Sequence, residues 1–116
     1  MSDMVKVAKV GELDDGAMKS VSTIRGEILL ARVGNKYYAT SSRCPHMKGN
    51  LVDGTLEGTV VTCPLHGSQF DLRDGSVVRW LRGSGVLSMA GRVLKSPQKL
   101  QTYHVEVNKD QILLEL

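Results

Sequence analysis

The chain has 116 residues, 41% of them hydrophobic, which suits one globular domain with a modest core; we read residues 1–116 as a single domain. Its formal charge of +3 is spread thinly along the sequence, and aromatic residues make up only 4%, so the clustered basic, aromatic-interleaved footprint of a nucleic-acid binder is missing. No apolar stretch approaches the length of a membrane span and the start Met1-Ser2-Asp3-Met4 is polar, which leads us to expect a soluble, cytoplasmic protein with no membrane partner.

Taken in chain order, the pattern is that of short strands. Val5, Val7 and Val10 among polar residues predict an opening strand, and Val21 to Ile24 a second. A turn at Arg25-Gly26 leads into Glu27 to Val33, a largely apolar run that reads as a buried strand. Gly34-Asn35 is a two-residue hairpin signal, with Lys36 to Thr40 pairing back across it. Short strands follow at Thr55–Leu56 and Thr59–Thr62, separated by Glu57-Gly58. Ser68 to Leu72, the turn Arg73-Asp74-Gly75 and Ser76 to Val78 form a further hairpin. Residues 79–99 show no clear period and read as a long surface loop; Val86 to Leu94 offers one or two helical turns, and Trp80 reads as a cover for the core. This stretch is locally basic and holds no acid. Leu100 to Val107 predicts a half-buried strand with Tyr103, Val105 and Val107 inward and His104 at the surface; a turn at Asn108 to Asp110 and a last strand from Gln111 close the chain. The twelve glycines agree with so many tight turns.

Two segments stand apart from this pattern. Cys44-Pro45-His46 and Cys63-Pro64-Leu65-His66 contain the only two cysteines, each followed closely by a histidine, with sixteen residues between the segments. In an intracellular chain such a pair of cysteines is better explained as metal ligands than as a disulfide. Thiolate and imidazole together suit zinc, copper or an iron–sulfur centre, not magnesium or calcium. Three readings compete: unliganded buried residues, a tetrahedral zinc site of two Cys and two His, and a [2Fe–2S] cluster with two Cys on one iron and two His on the other.

The surrounding residues favour the third. C-P-H, sixteen positions beginning at Met47 and C-P-L-H-G-S-Q-F-D resemble the Rieske motif C-x-H-x(15–17)-C-x-x-H. Gly49-Asn50-Leu51, Asp53-Gly54 and Leu56-Glu57-Gly58 are similar to the family's run from the first cluster loop towards the second. Phe70-Asp71 with Asp74-Gly75 resembles its F-D-x-x-x-G hairpin, and Ser96-Pro97 with Leu100 to Tyr103 is similar to a later segment. The resemblance covers most of the chain from Tyr37 onwards.

It implies an all-β fold: a Rieske-type antiparallel β-sandwich with a small cluster-binding subdomain of short strands and two ligand loops at about residues 43–78. It also implies one [2Fe–2S] cluster, with Cys44 and Cys63 on the inner iron and His46 and His66 on the outer iron. Buried thiolates are shielded among backbone N–H donors, while neutral imidazoles face outward. Ser68 matches a family serine whose hydroxyl bonds a cluster sulfur; Phe70 replaces a tyrosine that does the same. The high-potential branch carries an extra cysteine in each loop, and here no such pair exists. We therefore expect a potential in the intermediate-to-low part of the family range of about −150 to +300 mV. With a neutral oxidised cluster the holoprotein keeps the formal +3, and reduction brings it to about +2, so an acidic docking face on the partner is expected.

With no other catalytic constellation and no dinucleotide motif, the resemblance implies an electron carrier and not an enzyme. The expected donor is a flavoprotein reductase and the expected acceptor a terminal oxygenase or, for a stand-alone Rieske ferredoxin, another redox protein, with electrons passing through the His46/His66 tip inside a collar of Pro45, Met47, Pro64 and Leu65. The alternatives are a small Rieske-like subunit of an assimilatory nitrite reductase and, in a different class, a structural zinc-binding module.

Overall fold

The computed structural model describes residues 4–44, 50–64, 67–79 and 99–116. Among them are eleven strands in three antiparallel sheets, one 3-10 turn (Leu51–Asp53) and no α-helix. No helix among the described residues is long and apolar enough to cross a membrane. The first sheet holds β1 (Met4–Lys9), β10 (Val105–Asn108) and β11 (Gln111–Glu115), in the order β1-β11-β10. The second holds β2 (Met18–Thr23), β3 (Gly26–Val33), β4 (Lys36–Ser41) and β9 (Thr102–Tyr103), side by side in that order. The third holds β5 (Thr55–Glu57), β6 (Val60–Thr62), β7 (Gln69–Asp71) and β8 (Val77–Arg79), joined as a meander.

The middle sheet organises the other two. In β3 the four residues Ile28 to Ala31 are all fully buried, as the apolar run predicts. Successive strand side chains point to opposite faces, so the run splits between two cores. Leu29 and Ala31 pack with Cys44, Leu51, Val61, Cys63, Phe70, Leu72 and Leu100. Ile28 and Leu30 pack with Ala8, Leu13, Ala39, Ile112 and Leu114. One strand thus forms the wall between a core under the third sheet, which contains both cysteines, and a core under the first.

The predicted hairpins form. Gly34 takes φ +63 at the first of the two turn positions between Val33 and Lys36, a conformation glycine reaches without steric cost. The Asp15 carboxylate accepts from its N–H at 2.7 Å. One predicted element is corrected: Leu100 to Val107 is not one strand. It breaks at His104, where the chain passes from the second sheet (Ala39 opposite Tyr103) to the first (Val105 opposite Leu114). The His104 carbonyl accepts from Glu115 N–H at 3.0 Å across this crossing. Period-two alternation survives a change of sheet over so few residues, so the sequence pattern does not reveal it. As expected, His104 is a surface residue, 3.1 Å from the Glu106 carboxylate. Val107, expected inward, is 51% exposed, because β10 is the edge of the first sheet. Trp80 and the helical turns expected within Val86 to Leu94 lie outside the described residues.

Candidate metal centre

Cys44 sits just beyond β4, in an arm whose base is tied on both sides. Ser42, 2% exposed, donates from its N–H and from its hydroxyl to the same carbonyl, that of Glu27 in β3, at 3.2 and 3.1 Å. On the returning side Leu51 N–H donates to the Ser42 carbonyl at 2.7 Å, and Arg43 and Asn50 form an isolated antiparallel bridge. Asn50 then caps the 3-10 turn, its side-chain oxygen accepting from Val52 N–H at 3.1 Å. Leu51 is fully buried and anchors the turn in the core shared with the cysteines.

Cys63 opens the second arm. The β6–β7 ladder ends with Thr62 opposite Gln69, a pair reinforced by a 3.1 Å bond from the Gln69 amide to the Thr62 hydroxyl. Beyond it Cys63 N–H donates to the Ser68 carbonyl at 2.7 Å, and Gly67 N–H to the Cys63 carbonyl at 3.1 Å. Gly67 has φ +74, which closes this short turn at no steric cost. The base of the second arm thus continues the β6–β7 hairpin through backbone bonds.

The hairpin that follows is held by charge. The Asp71 carboxylate, 11% exposed, takes a two-oxygen contact from Arg73, with Nη2 at 2.7 Å and Nε at 3.1 and 3.2 Å, and also accepts from Arg73 N–H at 2.9 Å. The arginine hydrogen bonds outweigh the cost of burial and hold this carboxyl at about 2, against an ordinary 3.8; a hydrogen bond from Thr59 adds to the effect. Leu72 N–H donates to the Thr59 carbonyl at 2.7 Å, so the β5–β6 and β7–β8 turns are locked together.

The two arms bring their sulfurs into one apolar cluster. Cys44 is 1% and Cys63 2% exposed, and no disulfide occurs among the described residues. Ser68 and Phe70 are fully buried in the second arm and the strand after it. Of the residues singled out from sequence, Cys44, Cys63 and Ser68 are therefore placed together, whereas His46 and His66 lie outside the described residues, as do Pro45, Met47 and Leu65. Two thiols buried in the same apolar core cluster suit a group that takes thiolate ligands and needs protection from water. Sequence reasoning missed three supports. The Asp71–Arg73 pair has a local signal in its D-x-R spacing across a turn. Ser42 and the close approach made by Gly54 have none, since their partners are distant in sequence.

The class of protein that these features define is an all-β domain with two cysteines buried in one core cluster. The family model described as a Rieske [2Fe-2S] domain matches residues 3–103, and the chain belongs to that family, which implies one [2Fe–2S] cluster. Among curated proteins it is similar to the ferredoxin component of a naphthalene 1,2-dioxygenase system from Pseudomonas aeruginosa, 29% identical over 107 residues and covering 90% of this chain and 88% of the relative. Among solved structures it is similar to the ferredoxin of carbazole 1,9a-dioxygenase from Nocardioides aromaticivorans IC177, with a TM-score of 0.81, 26% identity and 98% of each chain covered. It also matches a chain in the complex of reduced oxygenase and oxidized ferredoxin in carbazole 1,9a-dioxygenase, with a TM-score of 0.77 and 26% identity, over 97% of this chain and 92% of that one.

Proposed function

We propose that the chain is a one-electron carrier of the Rieske ferredoxin type, taking electrons from a flavoprotein reductase and delivering them to a terminal oxygenase. The observation that carries this reading is the pair of buried cysteines, Cys44 and Cys63, on two backbone-closed arms within a Rieske domain. Its likeness, over nearly full length, to ferredoxin components of dioxygenase systems supports the choice of partners. In this reading Cys44 and Cys63 hold the inner iron, and His46 and His66 the outer one. When bound, such a cluster accepts one electron and returns it without making or breaking bonds to a substrate.

The chain's own residues do the rest. The apolar wall of Leu51, Val61, Phe70 and Leu72 keeps water from the sulfurs. The Cys63–Ser68 hairpin bonds and the Ser42–Leu51 bond hold both arms still, so that electron transfer demands little rearrangement. With the cluster bound, the Ser68 hydroxyl would donate to a cluster sulfur and raise the potential, while Phe70 would supply no such donor. We assign the chain to one domain, with the β5–β8 sheet and the Cys44 arm as its cluster-binding part, at about residues 43–78. We also place it in the cytoplasm, since its cysteines serve as ligands and not as a disulfide.

The test is spectroscopic. The purified protein is expected to be reddish brown, to bleach with dithionite and to show a Rieske-type electron paramagnetic resonance signal when reduced. Cys63→Ser abolishes the colour. A colourless protein carrying zinc would refute the reading in favour of a structural zinc module, and co-purification as a subunit of a large haem polypeptide would favour the nitrite reductase role.

A further inference from the structure

We infer that Gly54 is a positioning residue for the metal centre: the missing side chain at this position sets how closely the Cys44 arm and the Cys63 arm approach each other. This rests on the reading of Cys44 and Cys63 as ligands of one group.

Glycine at 54 is not required by backbone conformation. Seven glycines of the described residues have positive φ, and Gly54 is not one of them. Its φ of −88° and ψ of −155° are extended values open to any residue. What it lacks is room. A Cβ built there would lie 1.9 Å from the Thr62 carbonyl oxygen, 3.0 Å from the Thr62 carbonyl carbon and 3.2 Å from the Leu51 carbonyl oxygen. All three are backbone atoms, so no side-chain rotation relieves the contact.

The place of this contact gives it meaning. Gly54 ends the 3-10 turn that returns from the Cys44 arm, and its N–H donates to the Leu51 carbonyl at 3.0 Å. Thr62 is the residue before Cys63. It ends a strand that is paired on both sides, opposite Thr55 on one and Gln69 on the other. Leu51 and Cys63 belong to the same buried cluster as Cys44. Pushing the Thr62 carbonyl away therefore either shifts the Cys63 peptide or lifts the Leu51 turn, and both change the placement of one sulfur relative to the other. Gly58 is the natural comparison. It lies four residues on, has φ +57 and has open space around its Cβ position, so alanine there strains the backbone without touching either arm.

The experiment compares Gly54→Ala with Gly58→Ala in the cluster-loaded protein. Three quantities are read: the melting temperature, the g values of the reduced cluster, and the rate at which a chelator strips the iron. A fourth is read on the metal-free chain, where Cys44 and Cys63 are the only thiols: the rate at which oxidised glutathione converts them to a disulfide while being reduced itself. The expected result is that Gly54→Ala shifts the g values, speeds iron loss on the order of tenfold and changes the thiol-pairing rate by a similar factor, in line with the strain of a group forced into packed surroundings. Gly58→Ala lowers the melting temperature and leaves the other three as they were. Where Gly54→Ala needs help to fold, both variants are compared in sucrose, which strengthens burial in both alike. Unchanged g values and pairing rate in Gly54→Ala overturn the inference, as does a chain that fails to fold even in sucrose while Gly58→Ala folds. If the unsubstituted protein shows no [2Fe–2S] signal, the carrier reading fails, and the thiol-pairing comparison still decides the role of Gly54.

Discussion

Asp71→Asn removes the charge that locks the β7–β8 turn, and its effect can be worked out from the structure. The Asp71 carboxyl is held at about 2 in the folded chain, against 3.8 for an unperturbed group. At about 1.4 kcal/mol for each pH unit between those values, the pair has an upper bound near ~2.5 kcal/mol. The Arg73 partner is 66% exposed, so solvent screening lowers this to about 1–2 kcal/mol. For a domain of this size that corresponds to roughly 3–10 °C in melting temperature. The sign follows from a depressed pKa. The stabilisation is fully present above the unfolded value of 3.8 and is lost as pH falls towards about 2. Urea unfolding of the wild type and of Asp71→Asn at several pH values measures the gap between them. The gap is expected to be constant from about pH 7 down to about pH 5 and to close below about pH 4. A gap that persists unchanged at the acid end would show that the asparagine acts through packing and not through the lost charge, and would refute the reasoning. A double-mutant cycle with Arg73→Leu isolates the pairwise part.

Three further outcomes are expected. Ser68→Ala lowers the reduction potential, by about 40 mV if its hydroxyl bond is worth roughly 1 kcal/mol more to the reduced cluster, and protein-film voltammetry reads this directly. Gly75→Ala destabilises strongly, since Gly75 has φ +77 and a Cβ would lie 2.0 Å from the Leu100 carbonyl oxygen; because Leu100 N–H also donates to Gly75 at 2.8 Å, the melting temperature falls by more than in Gly58→Ala. Electron transfer to the acceptor slows as salt is added, because a carrier whose formal +3 falls by only one on reduction stays basic and would be steered by an acidic docking face; stopped-flow rates independent of ionic strength would remove that expectation.

Much of this protein is legible before its structure is known. The alternation of apolar residues, the Gly34-Asn35 hairpin and the buried run at Ile28 to Ala31 are local signals, and most of the strands that they predict form close to their expected bounds, the exception being Leu100 to Val107, which divides between two sheets. The Cys/His spacing is equally local: candidate ligands that one short loop contributes must lie close to each other in sequence, so their pattern survives in the one-dimensional chain. By itself, then, the sequence determined most of the strands and the family motif with its candidate ligands. Only the tertiary structure decided which face of β3 meets the cysteines, that the chain changes sheets at His104, and that Gly54 sits against Thr62 while Ser42 clasps Glu27. Those are contacts between segments brought together by burial of apolar surface, and nothing in the local residue pattern records which distant backbone atom will arrive beside a given residue.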